Sequence, residues 1–194
     1  MNNLQAYNNN SKLKKLILAE VVKHRKADQI IQGTYGKENG IWKGCAVGCS
    51  IHSLNLKLGK SYDTGDHSVY ETELGIPKEL ALVEDALFEE MSVKDSKTWP
   101  EKFLGAINPG ADLSKIVAQF VVWEFEDKEK GLKNLKEVQD DKKIYGFCEE
   151  VVALYKRDLA GDKPSEDEYY ALYEKIDRAW AGAGAWAWAW AWAG

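Results

Sequence analysis

The sequence predicts an all-α protein, and three observations carry that prediction. Apolar residues recur at three- and four-residue intervals along most of the chain, helix-start patterns stand ahead of those runs, and few segments alternate with a period of two. The expected architecture is a single compact multi-helix domain over 11–178 with one short hairpin near 33–44. A polar, mobile lead over 1–10 should precede it, and a low-complexity tail over 179–194 should follow.

The elements follow in order. Asparagines at 2, 3, 8, 9 and 10 make the lead, and Ser11 is placed to cap a helix reaching about Gln32, with Leu13, Leu16, Ile17, Val21 and Ile31 on one side. His24 shares that apolar side. Residues 33–44, GTYGKENGIWKG, carry four glycines and an Asn-Gly pair, which calls for a loop or tight hairpin. A helix over about 45–58 comes next, with Val47, Ile51, Leu54 and Leu58 as a core stripe. After the loop GKSYDTGDHSVY, Gly75-Ile76-Pro77 makes a turn into a helix whose inner side is expected to be Leu80, Val83, Leu87 and Met91. Thr98-Trp99-Pro100-Glu101 reads as a helix start, with proline in the first turn and Phe103, Leu104 and Ile107 inward. Asp112 opens a helix that is apolar over a wide arc from Leu113 to Trp123 and should be central. Charged helices at about 129–140 and 143–159 follow, and a Ser165/Glu168 capping box starts the last one.

Composition excludes several functions. The 194 residues carry a formal charge of −5 and no long Lys/Arg run, which argues against a nucleic-acid polymer as partner. No run approaches the roughly 20 apolar residues of a membrane span. An odd cysteine count of 3 and the polar start MNNLQAYNNN fit a reducing, cytoplasmic setting.

Chemistry concentrates in NGIWKGCAVGCSIHSL. At about 100° per residue, Cys45, Cys49 and His52 fall in one stripe about 60° wide, with Leu56 extending it. Four readings compete. Free cysteine packs as a small hydrophobe, and Gly44 and Gly48 could form a small-residue seam for a close neighbour. A metal would need a further ligand from His67, His24, Asp66 or Cys148, and with no second cysteine pair the sequence assigns no metal and no cofactor. A thiol just after glycine at a helix start is a candidate nucleophile, with His52 or His67 as base, so the candidate catalytic residues are Cys45, His52 and His67. The fourth reading is ligand binding between the two flanking loops, using Tyr35, Trp42, Lys43, Cys45, Cys49, His52, Tyr62, Asp66 and His67. Tyrosine, tryptophan and lysine there suit a nucleotide-like ligand, although no phosphate-loop motif supports one. Asp66-His67-Ser68 also reads as a turn organised by its own side chains.

GKENGIWKGCAVGCSIHS, DHSVYETELGIP, LVEDALFEEM, WPEKFLGAI and GADLSKI, in that order, resemble a family of small uncharacterised proteins of phages and bacterial genomes that carry Ala- and Trp-rich tails. The resemblance spans roughly 30–125 and implies a fold and a phage or prophage setting, without an activity. Tails of that family interleave Arg or Glu with Ala and Trp, whereas AWAWAWAW here is uncharged. On a strand, Trp186, Trp188, Trp190 and Trp192 would share one face, a pattern suited to self-association or partner contact.

The function expected from these features is a non-enzymatic, phage-type accessory protein. It would sequester a small ligand or block a host protein, as in counter-defence. A cysteine-dependent hydrolase or transferase and a tail-driven scaffold protein are the alternatives.

Overall fold

Apolar periodicity resolves into helices almost throughout the computed structural model, which describes residues 4–38 and 40–180 and is 67% helix against 3% strand. None of its helices is long and apolar enough to cross a membrane. The tail beyond 180, with its four alternating tryptophans, lies outside the described residues, as do 1–3 of the lead.

Contacts divide the chain into two units, Met1–Ser114 and Lys115–Gly194, where the sequence suggested one domain over 11–178. The reason is that two apolar cores form. The first unit holds α1 (Ser11–Lys26), a hairpin of β1 (Lys37–Glu38) and β2 (Trp42–Lys43), α2 (Ala46–Leu58), α3 (Lys78–Glu90), a single turn α4 (Val93–Ser96) and α5 (Trp99–Ala106). The hairpin is antiparallel with Lys37 opposite Lys43 and Glu38 opposite Trp42, in the region where the Asn-Gly pair predicted it. The second unit holds α6 (Ile116–Glu126), α7 (Lys136–Asp140), α8 (Lys142–Leu159) and α9 (Glu166–Trp180). In it Ala118, Val121 and Phe125 of α6 pack with Cys148, Val151, Val152 and Tyr155 of α8, flanked by Tyr169, Leu172 and Ile176 of α9. Trp123 and Tyr145 stay exposed. The Ser165/Glu168 capping box forms as expected, its two residues exchanging bonds between side chain and backbone N–H.

Three local expectations are corrected. The lead is anchored from residue 4 onward: Tyr7 is fully buried and its hydroxyl donates to the Leu104 carbonyl at 2.6 Å, while Ala6 and Gly110 exchange backbone bonds with Ala111 and Ala6. Asparagine tolerates the left-handed region, so Asn8 and Asn9 make the tight turn that seats Tyr7. Asn10, not Ser11, caps α1, accepting from the N–H groups of Lys12 and Leu13. Finally, α1 stops at Lys26 rather than near Gln32. Asp28 turns left-handed there, and Gly44 and Ile31 bond across a short bridge that carries the chain toward α2.

The connection between α1 and α2 lies directly on the first turn of α2. The Cys45 N–H donates to the Thr34 carbonyl at 2.8 Å, and a Cβ on Gly48 would run into the Tyr35 carbonyl. The Gly44/Gly48 seam thus admits a loop rather than a helix. Replacing Gly48 by Ala is expected to cost about 1–3 kcal/mol, because backbone rather than a flexible side chain must move. In contrast, Gly105→Ala, where a Cβ meets open space within α5, should be neutral or stabilise by up to about 1 kcal/mol. Thermal unfolding of both variants checks the contrast, and equal melting temperatures would contradict the seam.

Candidate functional site

Cys45 does not lie within α2 but caps it, with extended backbone and its Sγ accepting from the Gly48 N–H at 3.3 Å. Its exposure is 1%. The predicted stripe therefore splits at its first member. Cys49 is also fully buried, donating its thiol toward the Gly44 carbonyl at 3.4 Å. His52 turns the other way, stacking on Trp42 with ring centroids 4.2 Å apart and planes within 7°.

Two groups of side chains emerge. Trp42, His52 and His24 form an aromatic cluster between α1 and α2, the His24 ring lying 5.3 Å from Trp42 and 5.7 Å from His52. His24 meets Gln29 Oε1 at 2.8 Å and Ser53 Oγ at 2.9 Å, so both ring nitrogens are satisfied and its role is structural.

The second group surrounds Cys45. His67 is buried, with Nδ1 3.0 Å from the Gly65 carbonyl and Nε2 3.2 Å from Asp85 Oδ2. Carbonyl and carboxylate are both acceptors, so the ring faces an acceptor at each nitrogen. Tyr35 meets the His67 ring edge-on at 5.6 Å. Asp85 is 8% exposed, its carboxylate interacts with the Cys45 thiol and the Tyr35 hydroxyl, and its Oδ1 has no hydrogen bond of good geometry. Glu89, one turn further along α3 and partly open to solvent, accepts from the Gly33 N–H at 2.8 Å. Burial first, and Asp85 second, push the Cys45 thiol well above the usual thiol range; the same two causes push the Tyr35 hydroxyl up to about 12. Behind this group Glu84 and Tyr70, both fully buried, set their polar ends together in the interior, and burial pushes the Glu84 carboxyl up to about 8.

Of the candidate residues, the structure gathers Tyr35, Cys45 and His67. It does not gather the others there. Tyr62 donates its hydroxyl to Glu73, Lys43 faces Asp28 at 3.9 Å, and Asp66 organises its own turn by accepting from Ser68. Sequence reasoning missed Asp85 and Glu89. It placed Leu80, Val83, Leu87 and Met91 inward on α3, whereas Leu80, Ala81, Glu84, Asp85 and Phe88 are the buried ones. The α3 face rotates so that Asp85 meets His67 and Glu84 lies beside Tyr70. The available signal was the four-residue spacing of Asp85 and Glu89, which places both on one helix face.

In the second unit a shallow cleft is lined by Lys143, Phe147, Lys175 and Arg178, but Lys175 pairs with Glu150 and Arg178 with Glu174, so two of its cations are already matched.

Burial lowers the His24 pKa below its usual value, outweighing the Gln29 contact and Glu20, so the folded state holds the ring neutral. The sign follows: stability is full above about pH 6.5, where the unfolded ring is also neutral, and falls as pH drops through the lower folded value. His24→Gln should lose about 1 kcal/mol at neutral pH yet show a shallower decline between about pH 6.5 and pH 5. Parallel pH–stability curves for the two proteins would contradict this.

No family model, curated protein or solved structure matches the chain.

Proposed function

We propose that this protein is a binding module whose ligand is recognised at the cluster of Cys45, Asp85, His67, Tyr35 and Glu89, and that it is not a cysteine hydrolase. The observation that carries the reading is the company Cys45 keeps. Its partners are the Gly48 N–H and the Asp85 carboxylate, not a histidine, and 1% of the residue reaches solvent. A nucleophilic thiol needs a base within hydrogen-bond reach and a cationic or dipolar environment that favours the thiolate. Here a carboxylate faces the sulfur and the nearby imidazole is turned to that carboxylate instead. The cluster is acidic, which disfavours the phosphates of a nucleotide-like ligand and favours a cationic or hydrogen-bond-donating one. In the phage setting that the sequence resemblance implies, such a module would sequester a host-derived ligand in counter-defence.

Native-state alkylation of chelator-treated protein tests this. Cys45 and Cys49 should remain unmodified by iodoacetamide at neutral pH under conditions that label the unfolded chain completely. Rapid, selective labelling of Cys45 in the folded protein would overturn the binding reading and restore the nucleophile.

A further inference from the structure

The Cys45 cluster brings together a thiol and two carboxyl groups with no cationic side chain among them. The Cys45 sulfur and one carboxylate oxygen each of Asp85 and Glu89 all lie within 4.8 Å of one another. In a tetrahedral zinc site, with Zn–S near about 2.3 Å and Zn–O near about 2.0–2.2 Å, donor atoms stand about 3.3–3.7 Å apart. A closure of about 1 Å around an ion would reach that geometry. A second observation points the same way. Asp85 is 8% exposed, its Oδ2 is engaged by His67, and its Oδ1 is buried with no hydrogen bond. A buried, unpaired carboxylate oxygen is costly unless something binds it, and a cation is the partner that a carboxylate-and-thiol environment selects.

We propose that Cys45, Asp85 and Glu89 form a site for a divalent metal ion of borderline softness, zinc being the best match, with His67 as the outer partner that orients Asp85. This deepens the binding-module reading and rests on it. The donor chemistry selects the ion: a thiolate favours zinc or cobalt over magnesium or calcium, and carboxylates complete a hard–soft mixture that zinc accepts. His67 Nε2 lies 3.2 Å from Asp85 Oδ2 and so can orient that carboxylate. The imidazole–carboxylate–metal chain is the outer-shell arrangement that fixes ligand orientation in metalloproteins, here with the carboxylate as the inner member. Three ligands would leave a fourth position for water or for a donor from a bound molecule. Binding would deprotonate the Cys45 thiol, releasing one proton to solvent and forming the metal–sulfur bond; no oxidant or reductant is involved.

The test uses the full chain, freed of metal by chelator and titrated with zinc by calorimetry and with cobalt by absorbance. One ion per chain should bind, and the cobalt form should show a thiolate-to-cobalt charge-transfer band in the near ultraviolet. Cys45→Ser should abolish that band, and Asp85→Asn should weaken zinc binding by at least about a hundredfold. Glu89→Gln, at a partly open position that folding tolerates, should weaken it at least about tenfold, since even outer-shell partners are worth 10–100-fold. Cys148→Ser, in the other unit, should change nothing. Absence of binding at micromolar zinc, or a charge-transfer band that survives Cys45→Ser, would overturn the proposal. That failure is distinguishable from failure of the binding-module reading: a chain that binds no zinc but keeps Cys45 unreactive to alkylation loses only the metal.

Discussion

Taking a carboxylate out of water costs several kcal/mol unless charge and hydrogen bonds replace the water it loses. Asp85, in the middle of α3 and 8% exposed, meets that requirement on one side only, through His67 Nε2 at 3.2 Å. Much of the first unit is arranged around this contact. His67 can reach Asp85 because Gly65 holds its other nitrogen and Asp66 shapes the turn that presents it. Cys45 sits opposite because the Thr34 carbonyl receives its N–H and because Gly48 lets the Tyr35 carbonyl lie on the first turn of α2. Removing the imidazole would not simply delete a contact. It would leave a charged oxygen facing an interior that cannot solvate it.

The fold was largely legible in the sequence because its signals are local. The 3.6-residue periodicity, the Asn-Gly hairpin, the proline at the start of α5 and the Ser165/Glu168 box each act within a few residues, and each appears where the pattern placed it. The lead was misread because its asparagines look like solvent-exposed polar chain. One tyrosine, Tyr7, supplies the anchoring, and its partner Leu104 is 97 residues away. The division into two units was not legible either, since each core draws on apolar stripes that look alike in one dimension.

The site was half legible. Cysteine after glycine at a helix start, and two loops flanking it, drew attention to Cys45, Tyr35 and His67, which the structure does bring together. The helical stripe that joined Cys45 to His52 failed because a cap residue lies outside the helix it starts, so the 100° rule does not carry across it. Asp85 and Glu89 escaped because acids on an amphipathic helix normally face water, and only a tertiary partner reverses that preference. The glycine seam was visible, but its occupant, a loop carbonyl, is a feature of backbone packing that residue types do not announce.

Energetic coupling between Asp85 and His67 fixes the acidic face of α3 against the start of α2. A double-mutant cycle on chemical unfolding, using His67→Gln, Asp85→Asn and the combination, measures it directly. The account predicts a coupling above about 1 kcal/mol, because either single change strands its partner in a buried setting. Single-variant effects that add to the double within about 0.5 kcal/mol would contradict it.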